Sequence, residues 1–381
     1  MNEPAAPGLA PFYAMEMVAR AKALEAAGRR VCHLEVGEPS AAPAPAVLDA
    51  VADALRVPQG YTHAMGRIEL RRTLAGYYLR RHGVEVDPET ILVTMGSSSG
   101  FVLSFLSGFD AGAAIAVTRP GYPAYLNTLV GLGFRPVEIP VRAGQGWRLT
   151  AADIVAAYRA QPFAGLLFAS PANPTGATVG RAEFAEIVAT CAELGVRLIS
   201  DEIYHGLEYG PPAPSALELT REAIVINSFS KYYCMTGWRI GWMVLPSDLV
   251  RRAEMLQQSL FIAAPTLSQI AGEAALGERD YYEAEKARYS RNGQILAEGL
   301  AGLGFGDVHQ PDGAFYAYVD VSRFSNDSMA FCRDLLDRSG VCITPGIDFD
   351  RQAGHNFVRF SYAGSETTVR AALEGIERFL G

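Results

Sequence analysis

Short runs that are apolar on both faces recur along the middle of the chain: Ile91–Thr94, Ala114–Thr118, Gly165–Ala169, Val196–Ser200, Ala223–Ile226 and Arg239–Leu245. Buried strands of an α/β sheet have this character. Segments of helical periodicity, such as RAEFAEIVATCAELG from Arg181, lie between some of them. Strands alternating with helices predict a mainly parallel central sheet flanked by helices. A helix-like stretch, YAMEMVARAKALEAAGRR, precedes this region, and a long helical stretch from about Asp248 to Leu303 follows it. The C-terminal texture differs, with GAFYAYVDV, GVCITPGIDF and HNFVRFSYA separated by helical runs. The patterns predict a large α/β domain over residues 46–285 and a smaller α+β domain from residues 1–45 plus 286–381.

Composition narrows the class. The 381 residues are 49% hydrophobic and 19% charged, enough for two domains and a large core. A net charge of -8 argues against nucleic acid or an anionic membrane as partner. The opening MNEPAAPGLAPF lacks the basic and apolar regions of a signal peptide, and no uncharged apolar run reaches membrane-spanning length. Cys32, Cys191, Cys234, Cys332 and Cys342 form no CxxC pair, which suits a reducing cytoplasm. The six histidines show no metal-ligand spacing, so no metal is expected. Of 33 basic residues, three are lysine: Lys22, Lys231 and Lys286. Arginine cannot replace lysine where an amine must lose its proton and attack a carbonyl, so each lysine is a candidate for chemistry.

Ligands of open α/β sheets bind beyond the carboxyl ends of the strands. The segments after the predicted strands carry, in turn, Gly96-Ser97-Ser98-Ser99, Tyr122, Asn173, Asp201 with Tyr204, and Ser228, Ser230, Lys231 and Arg239. The first of these, GSSSG, fits the G-x-S-x-G elbow of serine hydrolases, with Ser98 as nucleophile. It equally fits a phosphate cradle at a helix start. The hydrolase reading finds an acid in Asp201 or Asp348 and a histidine in His309 or His355, but no HGGG-like stretch precedes Ser98. It also leaves Lys231, Arg239 and Asn173 without a shared purpose, whereas a phosphate site uses them together.

SFSKYYCMTGWRIG, around Lys231, resembles the lysine motif of the class I/II aminotransferases, the fold-type I pyridoxal-phosphate enzymes. GEPS at Gly37, YTHAMGRIELR from Tyr61, SPANPTG, DEIY, GAFY at Gly313 and FVRFSYA around Arg359 follow in that family's order. The resemblance spans nearly the whole chain. It implies a fold-type I architecture whose smaller domain closes over the active site. It implies that Lys231 bonds the aldehyde of pyridoxal 5'-phosphate and afterwards shuttles a proton. Asp201 would keep the pyridine nitrogen protonated, although a strand-end Asp capping a helix is commonplace. Tyr204 and Asn173 would donate to the ring oxygen, and Tyr122 would lie against the ring face. Gly96, Ser97, Ser98, Ser228, Ser230 and Arg239 would hold the phosphate, with Tyr61 reaching it from the partner subunit of a homodimer. Gly37 and Asn173 would border the substrate, and Arg359 would clamp its α-carboxylate.

The implied reaction moves an α-amino group between an L-amino acid and a 2-oxo acid, with 2-oxoglutarate/glutamate as one pair by family expectation. A β-lyase on the same fold shares the early chemistry. A cofactor-binding regulatory domain is a remoter alternative, since such relatives carry a DNA-binding segment and about 30 residues precede the matching motifs here. Some aspartate-specific relatives place a basic residue on the helix after the phosphate loop. Here that helix reads FVLSFLSGF, which leans toward apolar or aromatic amino acids.

Overall fold

The computed structural model describes residues 9–306, 308 and 311–381. Twelve strands occur among them in chain order: β1 Cys32–His33, β2 Ile91–Thr94, β3 Ala114–Arg119, β4 Arg135–Pro140, β5 Gly165–Ala169 and β6 Arg197–Asp201. The remainder are β7 Ile224–Ser228, β8 Gly241–Val244, β9 Tyr316–Asp320, β10 Val341–Cys342, β11 Thr344–Pro345 and β12 Phe357–Ser361. Strands β2 to β8 form one seven-stranded sheet in the order β2-β8-β7-β6-β5-β3-β4. β8 runs antiparallel to both β2 and β7, and the other adjacent pairs are parallel. The carboxyl ends of β2, β3, β5, β6 and β7 therefore share one edge. The sheet is mainly parallel with helices packed on it, as the pattern of apolar runs predicts.

Two features depart from the sequence reading. The strand β4, RPVEIP, was not anticipated; its burial alternates and it lies at the sheet edge, where its two prolines are tolerated. The stretch from Asp248 to Leu303 is three helices, Ser247–Leu260, Thr266–Ala275 and Arg279–Gly302, rather than one. Pro265 precedes the second helix and Gly277 lies between the second and third, where each interrupts the ladder.

The chain ends build separate small sheets. β1 pairs in parallel with β10, and β9 and β11 flank β12 in an antiparallel three-stranded sheet. The helices Tyr13–Ala26, Ser328–Ser339 and Glu366–Leu380 pack against these strands and one another. Among the described residues, no helix is long and apolar enough to cross a membrane.

Trp242, on β8, joins the sheet to its surroundings. It is fully buried, its Nε1 donates to Tyr78 Oη at 3.0 Å, and its ring meets Phe229 at 4.9 Å. Phe229 opens the loop that carries Lys231. Trp242→Ala is expected to cost about 3–5 kcal/mol of stability, read as a lower denaturation midpoint without loss of cooperativity.

Candidate active site

The loops beyond the shared sheet edge meet β9, β12 and the segment after β1 around a cavity of ≈580 Å³. Lys231, Asp201, Tyr204, Tyr122, Asn173 and Arg359 all line it. So do Ser97, Ser98, Ser230, Arg239 and Gly37. Gly96 stands just behind the wall. A second cavity of ≈650 Å³ lies beside Trp147, Tyr318 and Arg323, and none of the strand-end residues singled out above lines it.

Asp201 ends β6, paired in register with Ala169 and Ile226, so the two neighbouring strands fix its backbone. Its carboxylate is buried and accepts from Tyr125 Oη and, at 3.1 Å, from the Ile203 N–H. Burial pushes the acid up to about 6, with the Tyr125 and Ile203 hydrogen bonds and the charge of Lys231 pulling back. Lys231 lies in the loop between β7 and β8, and its Nζ donates to the Gly37 carbonyl at 2.6 Å. Burial lowers its amine to about 8; Arg359 and Arg239 push the same way, against Glu38 and Asp201. An amine near 8 carries a free-base fraction of about a tenth at pH 7 and about half at pH 8, the state in which nitrogen attacks carbon, against well under a hundredth for an ordinary lysine at pH 7.

At the far end of the cavity, β2 runs into the helix Gly96–Gly108. Gly96 takes φ 71, and a Cβ there would stand 2.5 Å from Arg239 Nη2. Only glycine lets the arginine close on this turn. Ser97, Ser98 and Arg239 line the same end of the cavity, where the helix start adds partial positive charge. Ser230 contributes its side chain from the lysine loop. Ser228 does not line the cavity; its buried hydroxyl donates to the Ile240 carbonyl at 3.0 Å and can accept from the Ser230 hydroxyl at 2.9 Å. Tyr61 does not line the cavity of its own chain either, and is 87% exposed.

Arg359 projects from β12. Its Nη1 donates to Asn173 Oδ1 at 2.9 Å and its Nη2 to the Glu35 carbonyl at 2.5 Å, while its buried Nε has no partner. Tyr316 and Phe349 sandwich the guanidinium at 4.4 and 4.7 Å. Gly37 faces Tyr316 so closely that a Cβ would stand 1.8 Å from its hydroxyl. Tyr204 Oη and Tyr316 Oη are 2.8 Å apart. Among the described residues, no histidine ring is hydrogen-bonded to Ser98, and His309 lies outside them. No group of His, Cys, Asp and Glu among the described residues could hold a metal ion.

Sequence reading missed Tyr125, Tyr316 and Phe12 here, and named Asp348 only as an acid of the hydrolase alternative. Tyr125 follows Tyr122 by one helical turn, a spacing that could have flagged it. Tyr316 lay within GAFY without being singled out. Phe12 and Asp348 carry no local signal, because chain folding alone brings them to the cavity.

A fold of this kind with a lysine, an acid and a glycine turn closed by an arginine in one cleft fits the class of aminotransferases that the sequence resembles. The sequence profile of class I and II aminotransferases matches residues 29–376, and the chain belongs to that family. It is 44% identical over 378 residues to a valine–pyruvate aminotransferase of Mycobacterium tuberculosis, covering 98% of this chain and 97% of that protein. A crystal structure of an aminotransferase from the same organism superposes with a TM-score of 0.95 at 42% identity, covering 100% of this chain and 99% of that one. The aspartate aminotransferase of Thermus thermophilus with maleate gives a TM-score of 0.92 at 29% identity, covering 97% of both chains. The fold is therefore fold-type I, as the sequence resemblance implies.

The family uses pyridoxal phosphate, and the residues present suit that group. The glycine turn against Arg239 leaves an anion-sized cradle, the buried acid awaits a cation, and the low-lying amine can meet an aldehyde.

The raised Asp201 value has a thermodynamic sign. The folded chain binds that proton more tightly than the unfolded chain, so ionising Asp201 opposes folding. In the cofactor-free protein the cost is absent below about pH 4, grows as pH rises to about 6, and is complete above that. Asp201→Asn, free of cofactor, should be more stable than the parent by about 3 kcal/mol at pH 7. The difference should vanish as pH falls to 4, followed by urea unfolding across that range.

Proposed function

We propose that this aminotransferase uses pyridoxal 5'-phosphate to pass the amino group of an apolar, monocarboxylic L-amino acid to a small 2-oxo acid of the pyruvate type. The cofactor supplies an aldehyde that condenses with amines and a ring that accepts electrons from the substrate Cα. Lys231 is the residue that holds the aldehyde carbon and then, as a free amine, takes the proton from Cα and returns it. The lowered basicity of its Nζ supports that role. Asp201 would pair with the protonated ring nitrogen, and its cost of ionisation in isolation would be offset by that cation. Tyr204 and Asn173 donate to the ring oxygen, and Tyr122 packs on the ring. The N–H groups of Ser97 and Ser98, with Ser230 and Arg239, hold the phosphate, while Ser228 supports Ser230 from behind.

Arg359 binds the α-carboxylate. The observation that carries the substrate reading is the cation count: Lys231, Arg239 and Arg359 are the cations lining the cavity among the described residues. Amine chemistry, phosphate and α-carboxylate engage all three. Donor and acceptor use one site in turn, and a second carboxylate would enter it unpaired, which is costly. Of 2-oxoglutarate, the acceptor expected from sequence, and pyruvate, named for the 44%-identical relative, the cavity charges favour pyruvate.

Two wider features belong to the same reading. Residues 1–45 and 286–381 act as a smaller domain closing over the cleft, supported by hydrogen bonds that span it, among them Lys231 to Gly37, Tyr204 with Tyr316, Arg359 to Asn173 and Thr236 to Glu38. The active enzyme is a homodimer in which Tyr61 serves the partner's site. Support comes from Tyr61, Val57, Leu260 and Ile262, all exposed, on two segments tied by the Thr266 hydroxyl to the Gly60 carbonyl at 2.7 Å. Five free cysteines, four of them buried, support a reducing, cytoplasmic setting.

Purified protein loaded with pyridoxal phosphate should lose its visible absorption on titration with L-valine or L-alanine and regain it with pyruvate. L-Glutamate and 2-oxoglutarate should be poorer by about tenfold or more in kcat/KM. Equal efficiency with the dicarboxylic pair would overturn the substrate class, and no spectral response to any amino acid would overturn the cofactor reading.

A further inference from the structure

The side-chain half of the cavity is built from an unexpected direction. Phe12 and Met15, at the start of the helix Tyr13–Ala26, line it together with Val36, Ile203 and Phe349. Nothing local holds a Phe-Tyr-Ala-Met segment at a cleft. Three contacts on this chain do. The Tyr13 N–H donates to Asp348 Oδ1 at 2.9 Å and the Ala14 N–H to Asp348 Oδ2 at 3.3 Å. Ala10 exchanges backbone hydrogen bonds with the Asn127 side chain at 3.3 and 3.0 Å, and Phe12 meets Tyr122 edge-on at 6.2 Å.

Asp348 is 8% exposed and itself lines the cavity. Its neighbour Phe349 covers one face of the Arg359 guanidinium. One carboxylate thus secures the first free N–H groups of a helix, which would otherwise lack partners, and presents negative charge to the chamber that holds Arg359. Glu38 also lines the cavity, where it accepts from the Thr236 hydroxyl at 2.8 Å.

We infer that Asp348 is a specificity-determining residue, seating Phe12–Met15 as the apolar wall of the substrate side-chain pocket and opposing any second carboxylate there. This rests on the aminotransfer reading above. Selection then has an attractive part, apolar contact for an aliphatic side chain, and a repulsive part, like charge against a dicarboxylate.

The test is the ratio of kcat/KM for L-valine to that for L-glutamate, with pyruvate as acceptor, in cofactor-loaded enzyme. Asp348→Asn retains an oxygen for the strap and removes the charge. The ratio should fall about tenfold. Met15→Lys alters an exposed side chain at the cavity mouth and keeps the measurement decisive should Asp348→Asn fail to fold. It should also lower the ratio, by about fivefold or more. A ratio unchanged within about twofold in a folded, cofactor-loaded Asp348→Asn, or in Met15→Lys, overturns the inference. So does a parent enzyme that prefers L-glutamate. Failure of the parent to respond to any amino acid would strike the aminotransfer reading instead, so the two failures are distinguishable.

Discussion

The structure turns on the cost of removing two ionisable groups from water. The Lys231 amine and the Asp201 carboxyl share one cavity, and burial pushes the first down to about 8 and the second up to about 6. Neither group is comfortable in the cofactor-free chain. That discomfort is useful in a site that must receive an aldehyde and a ring cation, since each incoming group relieves one cost. The sheet makes the arrangement possible. Parallel neighbours on both sides hold Asp201 at a strand end, while the loop from β7 to β8 brings Lys231 over the same edge.

A second constraint lies across the cleft. Asn173 lies in the turn after β5 of the central sheet and Arg359 on β12 of the smaller one, yet they are joined at 2.9 Å. The Gly37 carbonyl reaches Lys231, and Tyr316 reaches Tyr204. Groups that line the cavity are thus groups that join its two sides. A change at one of them alters geometry on both sides, and specificity and closure are coupled through the same few side chains. The Asp348 strap lies within the smaller domain and lines the same cavity, and the segment it seats reaches the other side through Ala10 with Asn127 and Phe12 with Tyr122.

Much of this was legible in the sequence for a physical reason. Buried parallel strands must be apolar on both faces, so the runs at Ile91, Gly165 and Ala223 announced themselves. Chemistry in such a sheet collects at one edge, so reading the residues after each run brought out Asp201, Asn173 and Lys231 before any coordinates. β4 escaped because an edge strand needs only alternating burial and tolerates proline. The stretch after Ser247 reads as continuously helical because its residues are mostly good helix formers, while the breaks rest on Pro265 and Gly277 alone. Phe12 escaped, and Asp348 entered only as an acid of the hydrolase alternative, because their places at the cavity depend on contacts between distant parts of the chain, Phe12 with Tyr122 and Tyr13 with Asp348, and no periodicity encodes those.

The account depends on the identity of the amine that bonds the cofactor. Reduction of the cofactor-loaded protein with borohydride, followed by proteolysis and mass mapping, reads that amine directly. The account predicts a pyridoxyl-phosphate adduct on the peptide containing Lys231. An adduct confined to Lys22 or Lys286, or none on a protein that still carries bound cofactor, would contradict it.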